Sequence, residues 1–229
     1  MRFYFLSPTS ATAKNISRLR KSSYEIRRII IESVPRKTLD KLIVLCNGTP
    51  DDRVLGVLAY HLNGDNVVGI TKPIETRLGA IGLLTSFLNY STPLRFKKFL
   101  FLIDQETDSP DDLFINVEKI MENSGITFVV AESFDRGRSY NCSVTGGREF
   151  EVVVVVNGLD DIPTTNHCIE DHLAKAKGLR VRGKSKDAWA ALNSEEQRLV
   201  FTNLKGSSQT VEQLFPQQVH GCRILERSR

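Results

Sequence analysis

The chain has 229 residues, 41% of them hydrophobic and 25% charged, which supports a sizeable core, and no apolar run reaches the roughly 18–20 residues that cross a bilayer. Its four cysteines, Cys46, Cys142, Cys168 and Cys222, lie far apart with no C-x-x-C pair, so a zinc knuckle and a disulfide framework are excluded as organising features and buried thiols remain. The net charge of +4 conceals three zones: residues 1–41 hold ten Lys/Arg and three Asp/Glu, residues 42–172 ten and nineteen, and residues 173–229 eleven and five. An acidic middle between basic ends suits a centre that concentrates cations and flanks that attract a polyanion; solvated basic helix faces give the same pattern.

Met1–Leu6 is too short and too aromatic for a signal-peptide core, and the arginine-rich stretch Lys14–Arg28 has some transit-peptide character. The expectation is a cytoplasmic chain with no membrane segment. Lys14 to Glu32 predicts a basic helix, with Ile16, Leu19, Tyr24, Ile26 and Ile30 on one side, stopped by Pro35. The period then changes. Leu42–Cys46 is a short continuous apolar run, as expected of a strand buried on both faces, and it ends in Asn47-Gly48-Thr49-Pro50. A helix follows, with Asp51 and Asp52 in its first turn.

Val67–Ile70 predicts a second strand and Leu78–Leu88 a second helix. Phe99–Ile103 is a third buried run closing on Asp104-Gln105-Glu106, followed by a helix over Asp111–Asn123 and a fourth strand over Thr127–Ala131. Strands alternating with helices imply βαβ units and a parallel sheet. Tyr140–Thr145 and Glu149–Val156 flank Gly146-Gly147, a hairpin signal. Helices are expected over Asn166–Lys177 and Asp187–Leu204, separated by a basic loop, with a polar tail and a short helix around Val211–Leu214. The expected fold is an α/β open, mostly parallel, doubly wound sheet with a hairpin and basic helical extensions at both ends. Three segments follow: a basic N-terminal helical segment (1–40), an α/β domain (41–177) and a basic C-terminal helical extension (178–229).

Chemistry is expected beyond the carboxyl ends of the strands, where loops and helix N-termini converge. Asp104 and Glu106, one residue apart at a strand end, can both approach one hard cation; Mg²⁺ (or Mn²⁺) is held by one or two carboxylates plus waters and phosphate oxygens. Helix-capping acids in a turn are the plainer alternative. There is no G-x-x-x-x-G-K-[ST] loop, no G-x-G-x-x-G after a strand and no G-x-S-x-G elbow, so NTPases, dinucleotide enzymes and α/β-hydrolases lack their usual signatures. His167, Glu170 and Asp171 are spaced to share one helix face. The loop Arg180–Lys186, with Arg182, Lys184 and Lys186, holds four cations in seven residues and suits a phosphate backbone.

Taken together, Asn47-Gly48-Thr49-Pro50-Asp51 after one strand and Asp104-Gln105-Glu106 after another resemble the Toprim family of topoisomerases, bacterial-type primases, RecR-like proteins and related nucleases. That family carries a Glu-Gly-x-x-Asp-like motif and an Asp-x-Asp motif at corresponding strand ends. Asn166–His172 is similar to the Glu-Asp-bearing helix of small Toprim-like proteins, and the resemblance covers roughly Lys41 to Lys177. It implies metal at Asp104 and Glu106, and a general acid/base at the position filled here by Asn47, which has no proton to exchange near neutral pH. Glu170 or Asp171 would stand in for it, Asp51 would position water, and Gly48 would admit a phosphate to the backbone. Arg18, Arg20, Arg182, Lys184 and Lys186 would steer DNA or RNA. The readings are a Mg²⁺-dependent nuclease, a catalytically silent nucleic-acid-binding or assembly module, or a small-molecule enzyme using the same crevice for a nucleotide.

Overall fold

The computed structural model describes residues 1–6, 30–32, 39–46, 48–62, 66–72, 96–144 and 146–227, with residues 30–32 and 49 described in backbone only. Their strands are β1 (Arg2–Phe5), β2 (Ile30–Glu32), β3 (Lys41–Val44), β4 (Val67–Thr71), β5 (Lys98–Asp104), β6 (Ile126–Phe134), β7 (Gly137–Val144) and β8 (Arg148–Asn157). Their helices are α1 (Thr49–His61), α2 (Pro110–Asn123), α3 (Ile169–Lys177), α4 (Ser185–Ala190), α5 (Ser194–Gly206), α6 (Ser208–Leu214) and α7 (Pro216–Glu226).

The eight strands form one sheet in the order β2-β1-β4-β3-β5-β8-β7-β6. Pairing is parallel from β2 through β8 and antiparallel for β8-β7 and β7-β6. The α/β, mostly parallel and open architecture agrees with the sequence pattern. The fourth expected strand does not continue the parallel series. As β6 it lies at the far edge, and its partner is the hairpin strand β7 rather than β5. The Gly146-Gly147 turn joins β7 to β8, with φ of 104° and 80° that only glycine adopts without strain.

Side chains alternate across the sheet with the period of two that a strand imposes. On one face Ile43, Leu45, Leu100, Leu102, Val153 and Val155 meet α1, α3, α5 and α7. On the other, Leu42, Val44, Phe99, Phe101, Ile103, Val152, Val154 and Val156 meet Leu113, Phe114, Val117 and Met121 of α2. Helices cover both faces, which is why the central strands read as unbroken apolar runs.

Both ends of the chain contribute to this core. β1, which the sequence reading passed over, enters the sheet between β2 and β4, with Phe3 and Phe5 buried. Of the basic helix expected over Lys14–Glu32, the described part, Ile30–Glu32, is strand; the remainder lies outside the described residues, as does the helix expected over Leu78–Leu88. The polar tail is largely helix. α7 lies against β5 and β8, and a Cβ on its Gly221 would come within 2.6 Å of Val155 Cγ2 and 3.1 Å of Leu100 Cδ1. Buried Lys98, at the start of β5, pairs with Glu151 at 2.9 Å and donates to the carbonyls of Ile224 (3.4 Å) and Arg227 (2.9 Å), fastening the C-terminal end of α7. The single helix expected over Asp187–Leu204 is two, α4 and α5. Asn193 breaks it with a capping box, accepting from the Glu195 and Glu196 N–H groups at 3.0 Å while Glu196 accepts from the Asn193 N–H at 3.1 Å. No helix of the described residues is long and apolar enough to cross a membrane.

The topology locates the crevice. The connection after β3 runs through α1 on one face to β4, whereas the connection after β5 runs through α2 on the opposite face to β6, on the β8 side of the sheet. Strand order therefore reverses between β3 and β5, and beyond their carboxyl ends is where ligands of open α/β sheets gather.

Candidate functional site

Asp104, the last residue of β5, stands at that point and is buried. Its Oδ1 accepts from the Asn157 side-chain amide at 3.2 Å and from the Ile169 N–H at 3.1 Å, the first backbone donor of α3. The partial positive charge of a helix N-terminus and a neutral amide thus hold one carboxylate oxygen. The other oxygen, Oδ2, lies 3.7 Å from Lys186 Nζ. Burial raises the Asp104 pKa, with Lys186, Asn157 and the Ile169 N–H pulling in the opposite direction.

Two further buried carboxyls face the same place. Asp51, in the first turn of α1, is 4% exposed, and Glu170, in the first turn of α3, is 7% exposed. Asp51 Oδ2 and Glu170 Oε2 are buried and accept no hydrogen bond. Burial pushes the Asp51 carboxyl well above its usual range and the Asp104 charge pushes it further. Glu170 is also raised by burial and by Asp104, while the Cys168 thiol offsets part of the effect. A Cβ at Gly48, the N-cap of α1, would collide with Asp51 Oδ2, so the close approach of this carboxylate requires glycine there. Lys72, just past β4, donates to the Gly48 carbonyl at 2.7 Å and pairs with Asp52 at 2.6 Å, bracing the β3–α1 loop.

Glu106 is placed differently from Asp104. Its side chain is half exposed, and its backbone is left-handed, with φ of 59°. Reciprocal backbone bonds to His167, at 2.7 and 2.8 Å, hold that strained conformation in place. Glu106 Oε2 accepts from Asn166 Nδ2 at 2.8 Å and Oε1 lies 3.4 Å from Lys186 Nζ. Burial alone would raise the Glu106 pKa, but Asn166 and Lys186 together hold it below the usual value.

The structure thus brings Asp51, Asp104, Glu106, Glu170 and Lys186 to one crevice. His167 does not share the helix face expected from its spacing: it precedes α3, and its Nδ1 lies 2.8 Å from Asp171 Oδ2. Arg182 and Lys184 are exposed on the loop that leads to α4, where Val181 and Ser185 point inward. Asn47, Arg18 and Arg20 lie outside the described residues. Sequence reasoning missed Asn157, whose signal was an Asn-Gly at the carboxyl end of the valine run, and Lys72, a lone cation at a strand end.

Among the described residues no three His, Cys, Asp or Glu side chains form a ligand set by themselves. Mg²⁺ requires fewer, because it keeps most of its waters. Asp104 and Glu106 already share one cation, the Lys186 ammonium, and the unpartnered oxygens of Asp51 and Glu170 add buried acceptors nearby. The donor set is all oxygen, as a hard divalent ion prefers, and the residues present fit such an ion.

Compared with protein-family models, curated proteins and solved structures, the chain matches none.

Proposed function

We propose that this protein is a Toprim-like, divalent-cation-dependent phosphodiesterase acting on nucleic acid. The observation that carries the reading is the convergence of buried Asp104, Asp51 and Glu170 at the point where strand order reverses, two of them with unpartnered oxygens. Three buried carboxyls held close together are costly even with Lys186 beside Asp104, and such costs are characteristic of functional sites.

In this reading Asp104 and Glu106 hold Mg²⁺ or Mn²⁺, which when bound activates a nucleophile and neutralises charge developing on phosphate oxygens. Asp51 positions water. Glu170 exchanges the proton that Asn47 cannot. Gly48, expected to admit a phosphate to the backbone, instead leaves room for the Asp51 carboxylate, and the exposed Arg182 and Lys184 hold the phosphates. The Toprim-like reading rests on the resemblance of the two strand-end motifs and on the order of the elements that carry them.

A second reading keeps the fold and the nucleic-acid contact without the chemistry. Asn47 favours it, since it stands where the resemblance implies a carboxylic acid. One experiment separates the two: cleavage of labelled single- and double-stranded DNA and RNA with Mg²⁺, Mn²⁺ or EDTA, beside the Asp104→Ala/Glu106→Ala variant. Metal-dependent cleavage that the double variant loses supports the phosphodiesterase. Binding without cleavage under every metal leaves the silent module.

A further inference from the structure

Lys186 is the one cation seen within reach of both motif carboxylates among the described ion pairs, and it comes from outside the segment that carries the motifs. It lies in the first turn of α4, a helix anchored by the buried Ser185 and Trp189. Its ammonium lies 3.4 Å from Glu106 Oε1 and 3.7 Å from Asp104 Oδ2, the longer of the two being a charge contact rather than a good hydrogen bond. Its side chain is 41% exposed, so a four-carbon stem can swing the head into solvent without unpacking the core. The ammonium is therefore held by charge and not by a fixed cage of hydrogen bonds.

Two cations cannot occupy the same pair of oxygens. We propose that Lys186 is an exchangeable counter-ion of the carboxylate site: it bridges Asp104 and Glu106 when no divalent ion is bound and releases them when one is taken up, turning its charge toward the phosphate of the substrate. The inference rests on the proposed metal-dependent reading and adds to it a coupling. Metal uptake weakens the hold on Lys186, and Lys186 weakens metal binding by the same factor. Lys186 offsets the charge of Asp104 and bears on neighbouring Glu170, while Lys72 acts on Asp51. The coupling also makes the basic loop from Arg180 to Lys184 sensitive to metal, because that loop leads directly into α4.

The test uses the full chain and metal alone. Reductive methylation of Lys186, followed by peptide mass spectrometry, should quicken roughly fivefold on adding Mn²⁺, in line with release of a half-exposed ion pair, and should already be fast without Mn²⁺ in Asp104→Asn. Mn²⁺ affinity, read by calorimetry or by the paramagnetic resonance signal of free Mn²⁺, should rise by a similar factor in Lys186→Met. If Mn²⁺ binds the wild-type protein while Lys186 reactivity stays constant and Lys186→Met binds no more tightly, the coupling is wrong and the metal site stands. If neither protein binds Mn²⁺, the coupling and the metal-dependent reading both fail.

Discussion

Asn157 donates its side-chain Nδ2 to Asp104 Oδ1 at 3.2 Å, and its side-chain Oδ1 accepts from Gln218 Nε2 at 2.9 Å. All three residues are buried. The contact joins the last residue of β8 to the last of β5, and through Gln218 to α7, so the C-terminal helix supports the crevice from beneath. Neighbouring Gln217 donates to the Gly158 carbonyl at 3.1 Å, fixing the turn that follows β8.

Replacing Asn157 by Leu should therefore lower stability by about 1–3 kcal/mol, the usual range when a buried hydrogen-bonding group loses its partner. The Asp104 carboxyl should become harder to ionise, because one of the donors that favours its charged form is gone. Urea unfolding at neutral pH measures the first effect, and NMR titration of the Asp104 carboxyl carbon the second. A variant with unchanged stability would mean that water replaces the amide and that Asn157 is not a support.

This network also shows what was legible in the sequence. β3, β5 and β8 could be read because each is buried on both faces and so appears as a continuous apolar run. The carboxylates at their ends could be read because turns after strands are where such residues gather. α7 could not, because Gln217, Gln218 and His220 make its sequence look like a surface segment, whereas Gln217 and Gln218 are buried and spend their polarity on Gly158, Asn157 and His172. Polarity satisfied by tertiary hydrogen bonds cannot be distinguished in sequence from polarity satisfied by water. β1 was missed for a different reason: four residues with alternating burial at the chain start carry too little pattern to register. The break at Asn193 was readable as Asn-x-x-Glu, but the apolar residues on either side suggested one continuous helix.

His172 offers a pH test of the same region. It is buried beside Phe215, with rings 5.2 Å apart, and its Nδ1 lies 2.6 Å from the Leu214 carbonyl. Its Nε2 accepts from the Gly158 N–H at 3.3 Å, so Nδ1 carries the proton. Burial lowers its pKa from 6.5 to about 4. A depressed histidine pKa means that the unfolded chain binds the proton first, so stability is lost as pH falls from 6.5 toward 4. The slope should be about 1.4 kcal/mol per pH unit across that window. His172→Gln should flatten it, as urea unfolding at a series of pH values would show; an unaltered slope would assign the acid sensitivity to other groups.

Gly221 tests whether α7 is a fixed part of the core. A methyl group there meets Val155 and Leu100 inside van der Waals contact, and both belong to central strands that have no room to retreat. Gly221→Ala should cost about 1–3 kcal/mol, as overpacking does, even though alanine favours helix more than glycine does. Thermal unfolding decides: a gain in stability would mean that helix propensity outweighs the clash and that α7 sits loosely on the sheet.

Asp51 provides the sharpest test of the site itself. Its folded-state pKa is raised well above the value in an unfolded chain, first by burial and then by the Asp104 charge. A carboxyl raised in this way is held more tightly protonated by the folded protein than by the unfolded one. Its contribution is then favourable at low pH and is lost as pH climbs from the unfolded pKa through the folded one. Asp51→Asn removes the charge and keeps the shape. The variant should be more stable than wild type by about 1–3 kcal/mol near pH 8, and the advantage should shrink toward about pH 5. A divalent ion acts on the same repulsion from the other side, so Mg²⁺ should raise the melting temperature of the wild-type protein more than that of Asp51→Asn. Melts at the two pH values, with and without Mg²⁺, measure both effects. If Asp51→Asn is destabilising at alkaline pH, the carboxylate is already compensated within the fold, and the case for a cation at this crevice loses its main electrostatic support.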